Sequence, residues 1–270
     1  MRDIRQSKQY ANYLESVGWR VERIDNINYF IKRFWILGSF IKIQRPQDID
    51  IKIINKLLKE YKAFQVLIEP RPDTNYQPLT TKFGFIQTDP YLPSKTRTLD
   101  LTQTKENMLK NMHKNTRYAV RHSKADLQLN PKIENFRKAW KNAVGWKRHV
   151  PVLKNLKAMQ NAFGKHALFL LDKNTNSGAI FLKTDETAYY WQAFTDKAGR
   201  KNSVQHKTVW EGILWAKNSG CTNFDFEGIY DKRFSNISWK GFSFFKKGFG
   251  GKIKKYPGAY TKFLFLKKQI

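Results

Sequence analysis

The stretch GFSFFKKGFGGKIKKYPGAY, residues 241–260, holds five lysines, five glycines, six aromatic residues and no acid. Positive charge, bare backbone and flat rings together suit three roles. These are a cradle for phosphate, a patch for nucleic acid, or a glycine-punctuated basic strand whose lysines face water. A second concentration of charge lies in TKENMLKNMHKNTRYAVRHSKADL. There Lys110, Lys114, Arg117, Arg121 and Lys124 recur at spacings of four and three, which on one helix makes a continuous basic stripe. No acid interrupts the stripe, so intrahelical pairing cannot satisfy it, and phosphate binding and a plain solvated face both remain open. The five histidines, at 113, 122, 149, 166 and 206, show no metal-ligand spacing, and the single cysteine, Cys221, offers neither a disulfide framework nor a zinc cluster. No Ser-His-Asp or Cys-His arrangement follows from spacing, so a covalent acyl-enzyme is not expected.

The whole chain repeats this bias. Its 270 residues carry a formal net charge of +28, and 41% are hydrophobic and 15% aromatic. Such a chain can bury one large core or two modest ones, and its charge calls for an anionic partner: nucleic acid, lipid headgroups or a phosphorylated metabolite. After Asp231 there is no acid, while eleven Lys or Arg follow. The start, MRDIRQSKQY, lacks the apolar core of a signal peptide. The most apolar segment, FIKRFWILGSFIKI, is broken by Lys32, Arg33 and Lys42. A cytoplasmic protein is therefore expected, with a basic, aromatic surface able to rest peripherally on an anionic membrane face.

The elements that must position these groups come in a repeated order. WRVERI, NYFIKRFW and GSFIKIQR read as a β-meander over residues 20–45, with turns at Asp25-Asn26 and Gly38. A helix follows over 48–61, with Ile53, Leu57 and Leu58 on one face, then the strand FQVLIEP, stopped by Pro70 and Pro72. In the second half HALFLLD, GAIFLKT and TAYYWQAF form another meander. QHKTVWEGILWAKNSG reads as a helix with Val209, Ile213 and Ala216 inside, and TNFDFEG as an alternating strand. Between the halves Thr104 caps the basic helix, Glu106 sits in its first turn, and Met108, Met112 and Ala119 face inward. Meander, helix, strand, stated twice, predicts two similar α/β domains.

At two places the residues resemble a known family. TRTLDLTQTKENMLKNMHKNTRYAVRHSKA is similar to one signature of the FemABX family, the tRNA-dependent non-ribosomal peptidyltransferases. FDFEGIYD followed by GFSFFKKGFGGKIKKYPGAY is similar to the other, in which an FK-x-x-FG box follows a strand ending in an acid and glycine. The resemblance implies an α/β (α+β) fold of two GNAT-like domains, each a mixed β-sheet flanked by helices. Residues 1–94 plus 258–270 would be the precursor-binding domain and 95–257 the aminoacyl-tRNA domain. No heptad-rich insertion marks the coiled-coil arm of larger members. The implied reaction moves an amino acid from aminoacyl-tRNA, the co-substrate, to the stem-peptide amine of a peptidoglycan precursor. That precursor is either UDP-MurNAc-pentapeptide or lipid II. The amine attacks the ester directly, with no metal and no cofactor. Transfer to a protein N-terminus or a lipid, and a non-catalytic RNA- or membrane-binding role, are the alternatives.

The resemblance also assigns residues. Lys246, in the FK position, is the catalytic candidate, binding phosphate or stabilising the oxyanion. Lys247 is its neighbour on what is read as a strand, facing the other way. The glycines at 248, 250 and 251 would let backbone approach a ligand. Glu69, closing FQVLIEP, would accept a proton from the attacking ammonium or hold it in place, with Phe64 beside the precursor. Arg148, or His149, falls near a family arginine that contacts precursor phosphates, and Arg45 or Lys8 could stand in for an N-terminal phosphate-binding lysine. Tyr190, with Trp191 and Phe194, would form core and pocket wall. Lys110, Lys114, Arg117, Arg121 and Lys124 would hold tRNA.

Overall fold

A computed structural model describes residues 3–146, 148–234 and 237–264. The chain divides into two compact units, Arg2–Ser94 with Lys255–Ile270, and Lys95–Lys254. Lys267 and Lys268, the last charges of the acid-free tail, lie outside the described residues.

The first unit opens with helix α1 (Lys8–Ser16), capped by the Ser7 hydroxyl, which accepts the Tyr10 N–H. Strands β1 (Arg20–Ile24), β2 (Ile27–Phe34) and β3 (Gly38–Gln44) then form the expected antiparallel meander. Asp25 and Asn26 both adopt positive φ, 49° and 64°, the backbone that matches the twist of a two-residue hairpin. At Gly38 φ is 91°, and a Cβ would stand 2.1 Å from the Lys62 carbonyl oxygen, so only glycine fits. The hairpin tip between β2 and β3 is apolar and exposed: Trp35, Ile36 and Leu37 are 95%, 85% and 62% accessible.

Asp50 caps α2 (Ile51–Glu60), accepting from the N–H groups of Lys52 and Ile53. Its buried face carries Ile54, Leu57 and Leu58; Ile54 takes the inward position expected of Ile53. The helix returns the chain to β4 (Ala63–Glu69), which pairs parallel to β3 with Gln44 opposite Glu69. Ile41, Ile43, Val66 and Ile68 of the two strands pack with Ile54 and Leu57. Helix α3 (Gln77–Thr81) and β5 (Ile86–Thr88) complete this part of the unit.

The second unit runs through β6 (Lys95–Asp100), α4 (Lys105–Lys110), α5 (Lys114–His122), β7 (Leu127–Leu129), α6 (Ile133–Val144) and α7 (Leu153–Phe163). The second meander follows as β8 (Ala167–Asp172), β9 (Gly178–Lys183) and β10 (Thr187–Phe194). Short α8 (Lys197–Lys201) and long α9 (Val204–Asn218) lead to β11 (Asn223–Gly228), parallel to β10. Helix α10 (Lys240–Lys247) and β12 (Lys252–Lys255) close it, and the chain returns to the first sheet as β13 (Ala259–Phe263). The sheet orders are β1-β2-β3-β4-β13-β5 and β12-β6-β11-β10-β9-β8-β7. Both are mixed sheets in which a helix crosses over to a parallel strand, so the α/β expectation and the repeated element order hold. Among the described residues no helix is long and apolar enough to cross a membrane.

Three local expectations are corrected. The basic segment is two helices, not one, because the chain turns at Asn111–His113, where the His113 N–H donates to the Gly248 carbonyl instead of continuing a helix. In α5 Thr116 and Val120 are buried, while Ala119 is only half-buried. Residues 240–247, read as strand, form α10: Phe242, Phe245 and Phe249 recur at three and four, which is helical spacing.

Gly212 tests the packing of α9 on the second sheet. A Cβ there would meet the Phe181 ring at 2.3 Å. Helix propensity alone would favour Gly212→Ala by about 1 kcal/mol, yet overpacking should make the variant less stable by ~1–3 kcal/mol. Urea unfolding measures the sign; a stabilised variant would show that the ring yields.

Candidate active site

The site of the second unit is built on an irregularity in β11. Its pairing with β6 shifts register, from Asp225 opposite Thr98 to Gly228 opposite Thr96, so one extra residue is accommodated on β11. Glu227 takes φ 58° there, and the turn is held by Asp225, whose Oδ1 accepts the Glu227 N–H at 2.7 Å. Thr96 Oγ1 donates to Asp225 Oδ2 at 3.3 Å. The bulge presents the Gly228 carbonyl to α10, where Lys246 Nζ donates to it at 2.6 Å.

Lys246 is 8% exposed, its ammonium 5.1 Å from the Phe242 ring centroid and 5.8 Å from that of Tyr190. Burial pushes its pKa down to about 8, against the opposing pull of Glu227 and Asp225. The group thus stays charged at neutral pH. Among the described residues it makes one hydrogen bond, and an ammonium has three donors.

The surroundings of α10 fix that position. Ser243 Oγ donates to the Trp239 carbonyl and accepts the Tyr230 N–H, tying the loop after β11 to the helix. Phe249 is fully buried against Phe226 and Phe245, and burial holds the His206 imidazole below its usual pKa beside Phe245. The glycines that were expected to meet a ligand meet protein instead. A Cβ on Gly248 would stand 2.1 Å from Thr116 Oγ1, and one on Gly251 would stand 2.3 Å from the Thr98 carbonyl oxygen. Arg97 Nη1 donates to the carbonyls of Gly250 and Gly251 at 3.0 and 2.7 Å.

Tyr190 is buried in the core of the second unit, its ring centroid 5.8 Å from the Lys246 ammonium. Burial pushes its phenol up, while Gln205 Nε2, 2.7 Å from the hydroxyl, and the charge of Arg148 pull it down. Arg148 and His149 are exposed, and Lys247 is exposed where its neighbour is buried; the divergence comes from a helix rather than a strand.

The first-unit candidates are more enclosed than expected. Glu69 is 0% exposed; Oε2 accepts Gln44 Nε2 at 2.7 Å and Oε1 the Leu92 N–H at 2.6 Å. Its carboxylate ties the end of β4 to β3 and to the segment before β6. Arg45, at φ 55° and buried, donates to the Pro70 and Pro93 carbonyls and lies 3.5 Å from the Tyr256 ring centroid. It clamps loops and is not a surface anion site. Phe64 is half-buried and packs edge-on to Phe34, and Lys8 is exposed at the start of α1. Sequence reasoning missed Lys42. Its ammonium sits 4.3 Å from the Trp19 ring centroid, and burial lowers its pKa to about 8. A lone lysine between Ile41 and Ile43 was the available signal.

On α5, Lys114, Asn115, Arg117, Tyr118, Arg121 and His122 line a concavity of about 400 Å³, with Tyr118 stacked on His122 at 4.1 Å. Lys110 ends α4 and Lys124 lies beyond α5, so the five-residue stripe is not continuous. Arg117 is also not free: its Nη1 donates to the carbonyls of Leu109, Lys110 and Met112, closing the C-terminus of α4. Among the described residues no group of three His, Cys, Asp or Glu could hold a metal ion.

Residues 145–264 match the model of the FemAB family, a span that contains β11, Lys246 and α10. No curated protein matches the sequence. The fold is similar to the crystal structure of FemX, with a TM-score of 0.77 at 14% identity, covering 97% of this chain and 92% of that one. It is also similar to L-PGS from Bacillus licheniformis, with a TM-score of 0.61 at 10% identity, covering 93% and 86%. A tandem GNAT protein from the clavulanic acid biosynthesis pathway aligns at 0.53 and 9%, covering 94% of each chain. At these identities the solved structures show the fold alone, two GNAT-like domains, and the family model matches the part of the chain that carries β11 and α10.

Arg117, bonded to carbonyls of α4, differs from the exposed Lys114 and Arg121 on α5. Arg117→Ala should cost about 1–2 kcal/mol of stability by stranding carbonyls of α4. Lys114→Ala and Arg121→Ala should leave unfolding unchanged, and if these side chains meet nucleic-acid phosphates each should flatten the log–log salt dependence of tRNA binding by about 0.7–0.9. Denaturant melts and filter binding check this; an Arg117→Ala variant of unaltered stability would contradict the capping role.

Proposed function

We propose that the chain is an aminoacyltransferase of the FemABX type, moving an amino acid from aminoacyl-tRNA to the stem-peptide amine of a peptidoglycan precursor. The acceptor carries either a UDP-linked or a lipid-linked sugar. In the proposed step the amine attacks the ester carbonyl carbon and an amide bond forms. The carbonyl C–O bond to the ribose breaks, and the ribose hydroxyl leaves with the proton the amine gives up. Negative charge appears on the carbonyl oxygen only while that carbon is tetrahedral. A donor already fixed and partly desolvated stabilises this charge without reorganising, an effect worth about 3 kcal/mol for one such group.

The observation that carries the proposal is the Lys246 ammonium, buried, oriented by the Gly228 carbonyl and still protonated at neutral pH. The family match supports aminoacyl-tRNA as donor. The excess of positive charge supports polyanionic substrates. A lipid acceptor is a second reading, favoured by the apolar hairpin tip at Trp35–Leu37.

The test is incubation with charged tRNA and either precursor form, read as the mass increase of one aminoacyl residue. Lys246→Met should lower turnover by about 100-fold or more with a cooperative melt retained. Because the charged form of Lys246 is the active one, its contribution should be lost as pH rises through about 8, although deprotonation of the acceptor amine alone would speed the reaction. Unchanged turnover in Lys246→Met removes the mechanism. Inertness with every charged tRNA and both precursors removes the acceptor, and a product formed on lipid instead would establish the second reading.

A further inference from the structure

The β2–β3 hairpin carries a feature that the proposed chemistry at Lys246 does not use. Phe34 pairs with Gly38 to close the hairpin, and its ring packs edge-on to Phe64. Beyond that anchored base, Trp35, Ile36 and Leu37 project as three consecutive large apolar side chains, at 95%, 85% and 62% exposure. Scattered surface apolar residues need no explanation, but an uninterrupted trio at a hairpin tip is a contiguous patch. Burial does not account for these residue types, since all three side chains are largely exposed, while Gly38 meets the steric demand of the close approach to Lys62.

The charge around the tip decides among occupants. Residues 27–47 contain no acid, while Arg33 beside the tip is exposed, as is Lys62, whose carbonyl packs against Gly38. Lys32 reaches back to donate to the Gly18 carbonyl at 2.7 Å, leaving the apolar tip unobstructed. An apolar wedge containing tryptophan, with cations at its base and no acid within its own hairpin, matches the interface of an anionic bilayer. The wedge enters the acyl boundary, the indole sits at headgroup depth, and Arg and Lys meet phosphate.

We propose that the β2–β3 tip is a membrane-docking element that inserts Trp35, Ile36 and Leu37 into the surface of an anionic lipid bilayer. Docking of this kind is a weak, reversible contact and does not depend on which acceptor the enzyme uses. The experiment is co-flotation of the full chain with vesicles containing phosphatidylglycerol, against vesicles of phosphatidylcholine alone. The triple variant W35S/I36S/L37S is run in parallel, its fold checked by circular dichroism. In a second measurement, Ile36→Cys is labelled with a polarity-sensitive fluorophore; the native Cys221 is buried, so the label is selective. Expected are binding to the anionic vesicles, a loss of partitioning of roughly tenfold or more in the triple variant, and a blue-shifted label quenched by chain-linked quenchers. Equal binding by the triple variant, or an unshifted label on bound protein, would reduce the contact to surface charge and overturn insertion. Absence of vesicle binding overturns the proposal outright, as does a tip-dependent dimer in place of it.

Discussion

A primary ammonium held inside a protein is an expensive object, and the second unit is arranged around one. Removing Lys246 from water disfavours its charge. What offsets that loss is a short list of fixed groups: the Gly228 carbonyl, the field of Glu227 and Asp225, and two ring faces. The carbonyl and the two acids are placed by the bulge in β11, where Asp225 accepts the Glu227 N–H; the rings come from α10 and β10. The far end of α10 is pinned just as closely, with Gly248 against Thr116 and the next turn held by Arg97. The same burial that destabilises the charge brings its pKa to about 8. The side chain therefore remains a cation at neutral pH while being poorly solvated, the condition in which it gains most from new negative charge nearby.

The two units share an architectural device and use it differently. In each, a meander leads through a helix to a parallel strand, and the acidic residues near that strand's end are engaged by the protein itself. In the first unit Glu69 is closed off by Gln44 and Leu92, and Arg45 clamps two proline carbonyls. In the second, Asp225 shapes a turn whose carbonyl then aims a lysine. Charge in the strand ends thus serves geometry first, and in the second unit that geometry holds a buried cation.

Elements with clear periodicity were legible in the sequence. FDFEG alternates, the strands of the second meander are short apolar runs bounded by turn residues, and Asp25-Asn26 is turn chemistry that suits a hairpin. The failures share a cause: an interaction from elsewhere in the chain. The basic segment has no glycine or proline between Lys110 and Lys114, yet it breaks, because His113 bonds to Gly248. Residues 240–247 were taken for a strand because the neighbouring glycines suggested turns, although the Phe242, Phe245, Phe249 spacing is helical. Lys246 was found through a motif; its partner carbonyl could not be, since any residue supplies one. Arg45, Arg117 and Glu69 looked like free charges. A sequence does not reveal that a guanidinium ends on backbone carbonyls, or that both oxygens of a carboxylate are already bonded.

The central claim is that the Lys246 ammonium is buried, charged near neutrality and responsive to negative charge placed before it. Its ionisation can be followed directly by NMR of lysine labelled with carbon-13 at Cε, assigned with Lys246→Met, in free protein and with a non-reactive, negatively charged mimic of the tetrahedral centre. The account predicts a pKa of about 8 in the free protein and a clear rise when the mimic binds. An ordinary lysine titration in the free protein, or a pKa that the bound mimic leaves unmoved, would contradict it.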